Sequence, residues 1–163
     1  MSAKNRSYTI KKNGETTDIS SVIIIAIKRN AEVFLNPPIK NLGYKGISKT
    51  AKELLKYFDS NPETRGMNFQ IMGSLMEDAG TGGSIFRNLY RDFLKESGEL
   101  LDDERLMEAS EEYAVIAKKW KEVSDYLIET GKTDNRKHLE DACGILEELS
   151  RLEKNVAEKL LAL

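Results

Sequence analysis

Apolar positions recur at helical spacing along most of the chain, most regularly in the last third. Leu106, Ala109, Tyr113, Ile116, Trp120, Val123 and Leu127 are separated by alternating steps of three and four residues, the a/d pattern of a helix that packs along another helix. After an interruption, Leu139, Ala142, Leu146, Leu149, Leu152, Val156, Leu160 and Leu163 resume a near-identical spacing. Two helices of about 25 residues, each about 38 Å long, are predicted. The interruption, Gly131 to Lys137, reads as a loop short enough to fold them into an antiparallel hairpin.

Shorter periodic runs precede the hairpin. A first helix is predicted from a cap at Asp18 or Ser20 to Leu35, where Asn36-Pro37-Pro38 stops it, because proline lacks a backbone donor and restricts the residue before it. Its Val22–Ile27 stretch is apolar nearly all round, which predicts a central, buried helix. Gly43 and Gly46 punctuate a loop, and Ser48 is the predicted cap of a second helix through Phe58, with Ala51, Leu54, Leu55 and Phe58 as its stripe. Asn61-Pro62-Glu63 opens a third helix, with Met67, Ile71, Leu75 and Met76 predicted inward, ending near Ala79-Gly80. A fourth begins at Ser84, with Ile85, Phe86, Leu89, Phe93 and Leu94 as its predicted buried face. Arg6 to Lys12 with Asn13-Gly14 reads as a short strand or extended arm and a turn. The expectation is an all-α, single-domain bundle of about six helices. Residues 1–17 form the arm, 18–100 the short helices and 103–163 the long hairpin.

Composition narrows the classes. Of 163 residues, 40% are apolar and 32% charged, the balance of a globular domain. The single cysteine excludes a disulfide scaffold and a cysteine-based zinc site. The longest apolar run is far short of the about twenty residues a membrane span needs, and the N-terminus has no signal-peptide pattern; a cytoplasmic protein with no membrane partner is expected. Residues 1–58 carry eleven Lys and Arg against four Asp and Glu, whereas the remainder carries fourteen against twenty-three. The basic positions, Lys28, Arg29, Lys40, Lys45, Lys49, Lys52 and Lys56, show little aromatic interleaving. They read as solvated faces, with no nucleic-acid partner expected.

Catalytic chemistry finds little support. Cys143 and His138 stand five positions apart on one helix, about 140° around its axis, so their side chains do not meet as a dyad. Cys143 reads as a small core residue and His138 as exposed. One histidine cannot supply the paired ligands of a di-iron bundle. The acidic cluster Asp102, Asp103, Glu104, Glu108, Glu111 and Glu112 lacks calcium-loop spacing and reads as compensation of a helix dipole. No catalytic residue, metal site or cofactor is predicted.

One local motif points to binding. Gly80-Thr81-Gly82-Gly83-Ser84 precedes a helix on which Arg87 and Arg91 lie one turn apart, with Tyr90 between them. Backbone N–H groups at a helix start plus two guanidinium groups suit a phosphate or carboxylate. The alternative is a tight turn that lets two helices pack closely. No P-loop is present, since the Gly-Lys-Ser/Thr ending is missing. Tyr44 and Lys45, between Gly43 and Gly46, are the second-choice positions.

Three blocks together resemble a known family: 35–54 (LNPPIKNLGYKGISKTAKEL), 80–94 (GTGGSIFRNLYRDFL) and 111–120 (EEYAVIAKKW). In order and spacing they are similar to the C-terminal helical domain of proteins resembling butirosin biosynthesis protein H, over the chain from about Tyr8 onward. In that family a cysteine-hydrolase-like domain precedes this region, and the namesake looks like an acyltransferase acting from a carrier protein onto an aminoglycoside. No stretch of these 163 residues matches that domain, and its catalytic cysteine and histidine have no counterpart among them. The resemblance therefore implies a non-catalytic accessory domain that docks a separately encoded cysteine-hydrolase-like subunit. A small-ligand protein binding an anion or carrier arm, or one subunit of a split acyltransferase, is the alternative. The apolar end Leu160-Leu161-Ala162-Leu163 either meets a second copy, giving a homodimer, or packs on the domain's own core.

Overall fold

In the computed structural model the described residues are Thr9, Lys11, Gly14, 18–60, 62–79 and 82–163. They form six helices: α1 (Ile19–Leu35), α2 (Gly43–Ser60), α3 (Arg65–Asp78), α4 (Ser84–Leu101), α5 (Glu104–Thr133) and α6 (Arg136–Leu161). No strand occurs among the described residues. The arm predicted over 1–17 lies, apart from those three residues, outside them.

The hairpin of α5 and α6 is the centre. Both helices turn one seam inward because the three-and-four spacing keeps one face covered; the α5 seam is apolar from Leu106 to Leu127, and the α6 seam is apolar except at Glu153. Leu106, Ile116, Val123, Leu139, Leu146 and Leu149 are among the most deeply buried side chains. α3 and α4 pack on α5, and α1 and α2 pack on α6. One continuous core joins all six.

The connection between α5 and α6 is Asp134-Asn135, shorter than predicted. Asp134 takes the left-handed conformation (φ 52°) and its amide bonds Thr130 O at 2.9 Å, ending α5; Asp tolerates this conformation better than most residues. The Asn135 side chain then accepts from Lys137 N and starts α6. Gly131 marks a helix crossing rather than a stop. A Cβ there would stand 2.4 Å from the Gly66 carbonyl oxygen, so glycine lets α3 cross α5 closely. Further along the crossing, Ser124 Oγ donates to Gly73 O at 2.9 Å.

Several predicted faces and bounds are corrected. α2 starts at Gly43, whose φ of +60° turns the chain directly into the helix. Ser48 thus lies inside α2, and its hydroxyl donates to Glu147 at 2.7 Å instead of capping. α3 starts at Arg65, after a turn over Pro62–Thr64. α1 is peripheral, not central: Ile23, Ile27 and Ala31 are buried, while Ile19, Val22, Ile25 and Val33 are exposed, Ile25 by 64%. On α3, Phe69 and Gly73 point inward whereas Met67, Ile71 and Leu75 are exposed. On α4, Leu94, Ser97 and Gly98 point inward whereas Ile85, Phe86 and Leu89 are exposed. The common reason is geometric. A helix laid against one side of a hairpin buries only one stripe, and apolar spacing alone does not say which stripe is covered.

Two ion pairs fasten one corner of the bundle. Arg65 Nε donates to Asp134 at 2.6 Å, joining the start of α3 to the end of α5. Arg136 donates to Asp59, joining the start of α6 to the end of α2.

Candidate functional site

The predicted anion site lies where α3 gives way to α4. Gly80 and Thr81 are outside the described residues. Gly82 has φ +138°, and the Gly83 amide bonds Met76 O at 3.2 Å. A Cβ on Gly83 would stand 2.6 Å from that oxygen, so this position requires glycine for the close return of the chain. The Ser84 amide then donates to Glu77 Oε1 at 2.9 Å, and the Ser84 hydroxyl donates to Glu77 Oε2. A carboxylate from the preceding helix thus sits at the N-terminus of α4, where the dipole and free N–H groups favour negative charge.

Arg87 turns inward. Its Nε and Nη2 donate to the two carboxylate oxygens of Glu153 at 3.1 and 3.2 Å, and Nη1 donates to Gly82 O at 2.5 Å. The guanidinium lies over the Trp120 ring, 4.3 Å from its centroid. Trp120 Nε1 also donates to Glu153. Glu153 is only 2% exposed, and these donors replace the water its carboxylate gives up on burial.

Arg91 does not join this cluster. Its Nε donates to Asp92 at 2.8 Å and Nη1 to Asn88 at 2.7 Å, both on its own helix; the Asp92 bond raises the guanidinium pKa further. The two arginines are therefore not brought to one point. Tyr90 packs edge-on against Tyr113 with ring centroids 4.9 Å apart. Burial raises the pKa of both phenols, opposed at Tyr90 by a bond to Asn30 and reinforced at Tyr113 by the Glu153 carboxylate.

The other candidates separate too. Cys143 is buried, and its thiol donates to Ala51 O at 3.2 Å. Burial pushes the thiol up to about 11. His138 is half-buried rather than exposed and stacks on Tyr126. Asp103 caps α5 and pairs with Arg105, and Glu112 pairs with Lys159. Tyr44 and Lys45 belong to the first turn of α2, not a loop, and Tyr44 O accepts from Ser150 at 2.7 Å. Two troughs flank α2. The larger, about 810 Å³, runs between α2 and α3; the smaller, about 360 Å³, lies beside Tyr44, Lys45 and Lys52.

The profile of a domain of unknown function (DUF4872) matches residues 1–160. The chain belongs to the DUF4872 family. No curated protein and no solved structure matches it significantly.

Sequence reasoning missed Glu153 as the organising residue of this DUF4872 chain, and its signal was available. Leu139, Ala142, Leu146, Leu149, Glu153, Val156 and Leu160 keep the three-and-four spacing without a break. The carboxylate of Glu153 stands in the seam, and the apolar Leu152 beside it is only half-buried. Glu77 carried no such signal, because its role depends on how the chain returns through Gly82 and Gly83.

Proposed function

We propose that this DUF4872 chain is a non-catalytic interaction domain whose α1 docks a cysteine-hydrolase-like catalytic unit. The observation that carries the reading is the outer face of α1. Ile19, Val22, Ala26 and Val33 share one exposed side of a helix whose opposite side is already packed. A helix apolar all round is normally covered all round, and an exposed apolar stripe of this kind is characteristic of a contact surface. The catalytic nature of the partner comes from the resemblance to butirosin biosynthesis protein H-like proteins, in which a cysteine-hydrolase-like domain accompanies this region.

The test supplies that cysteine-hydrolase-like domain, from the same genome, as a separate chain and measures the mass of the mixture by light scattering. A one-to-one complex, lost on Val22→Asp with Val33→Asp, is expected. Two separate masses at micromolar concentration would overturn the reading, as would a complex indifferent to both substitutions.

A further inference from the structure

The crest of α2 carries a ladder of lysines. Lys45, Lys49, Lys52 and Lys56 follow at steps of four, three and four, which places them on one side of the helix, and Lys40 precedes them. Among the described residues, Lys56 alone of the five forms an ion pair, with Glu53; Lys49 donates to the neutral Asn41 side chain at 2.7 Å. Five ammonium groups thus face solvent along the crest beside two carboxylates, Glu53 and the Asp59 that pairs with Arg136. Elsewhere the surface largely neutralises itself, through Lys119–Glu148, Lys121–Asp125, Lys137–Asp141, Lys154–Glu158 and Lys159–Glu112.

Below the crest lies the larger trough. Its α2 wall carries Lys49, Glu53 and Lys56, and its α3 wall carries Asn68, Ile71 and Met72. Ile71 is exposed and Met72 half-buried. The trough extends from Gly46 to Ser60, roughly 21 Å at 1.5 Å per residue. It is open along its length, so it would leave much of a small molecule in water, whereas small-ligand sites enclose most of their ligand. The α3 wall is largely apolar and the α2 wall, with two lysines to one glutamate, keeps an excess positive charge; together they match a helix with an apolar edge and carboxylates next to it.

We propose that the α2–α3 trough docks an acidic amphipathic helix of a partner protein, its apolar edge on Ile71 and Met72 and its carboxylates toward Lys49 and Lys56. The chain's own N-terminal arm does not suit it. Residues 1–17 carry Lys4, Arg6, Lys11 and Lys12 against Glu15 and would be repelled by the ladder. The site is separate from the outer face of α1, so either proposal stands without the other.

The test is fluorescence anisotropy of the full chain with two labelled synthetic helices of about three heptads. One has leucine seams and glutamate elsewhere, the other leucine seams and lysine elsewhere, in about 0.1 M salt. Saturable binding of the acidic helix alone is expected. Lys49→Glu with Lys56→Glu should weaken it about tenfold and admit the basic helix. Ile71→Ser with Met72→Ser should weaken it severalfold at unchanged far-UV circular dichroism. Val22→Asp on α1 should leave it unchanged. No saturable binding, equal binding of both helices, or indifference to either pair of substitutions would overturn the proposal. So would a single-stranded oligonucleotide that binds as tightly as the acidic helix, since that marks a general polyanion surface.

Discussion

Arg87 and Glu153 meet edge to edge, two guanidinium nitrogens on two carboxylate oxygens, with the Trp120 ring beneath the guanidinium and its indole N–H on the same carboxylate. The pair ties α4 to α6 across α5. Removing one partner of a buried pair strands the other charge, at about 3–5 kcal/mol. Arg87 keeps some solvent contact, so Arg87→Met is expected to cost about 3 kcal/mol in urea denaturation. Glu153→Leu should cost a similar amount, and the double variant should recover most of the loss. Strictly additive losses would refute the coupling.

The glycines of the long hairpin should respond with opposite signs. At Gly131 an added methyl meets the Gly66 carbonyl at 2.4 Å, whereas at Gly144 nothing lies within 4 Å. Gly131→Ala is expected to destabilise by about 1–3 kcal/mol through overpacking. Gly144→Ala should stabilise by about 0.5–1 kcal/mol through helix propensity. Urea midpoints of the two variants give the comparison directly.

Cys143 sets a pH dependence. Its thiol is raised from 9.0 to about 11 in the fold, chiefly by burial and then by the Glu147 and Glu140 carboxylates. The folded state therefore disfavours the thiolate. The thiol's contribution to stability is fully present below pH 9 and is lost as pH rises through 11. Cys143→Ala should flatten the decline of stability over that window. In the wild type, thiol labelling at pH 8 should be slow until urea unfolds the chain; fast labelling of the folded protein would contradict the buried assignment.

The α4 N-terminus already holds an internal anion, the Glu77 carboxylate. At equal ionic strength, exchanging chloride for phosphate should leave the wild-type Tm unchanged. Glu77→Ala removes the cap, at about 0.5–2 kcal/mol. Phosphate should then raise the Tm of that variant, because the exposed N–H groups regain an anion. A phosphate effect equal in both proteins would exclude this role for the turn.

How much the sequence disclosed follows from how each signal arises. The seams of α5 and α6 were legible because a hairpin core imposes spacing on both partners at once, and Leu106 to Leu127 keeps it without exception. The direction of α1 was not legible. Its Ile23 and Ile25 are chemically alike, and only packing on α6 separates them. Gly131 resembled a stop because glycine serves both as a helix end and as a crossing point. Arg87 and Arg91 looked equivalent at one-turn spacing, yet the carboxylate that distinguishes them comes from α6, far away in sequence.

The division of labour around the hairpin sets an order of opening. α1 and α2 lean on α6, α3 and α4 lean on α5, and the two leaves touch at Asn30–Tyr90 and at Tyr57–Phe69. They hinge on a spine whose two-residue link makes its own closure entropically cheap. Amide hydrogen exchange should therefore resolve three tiers. The α1–α2 leaf exchanges first, the α3–α4 leaf later because of the Arg87 clasp, and the α5–α6 seam only when the whole molecule unfolds.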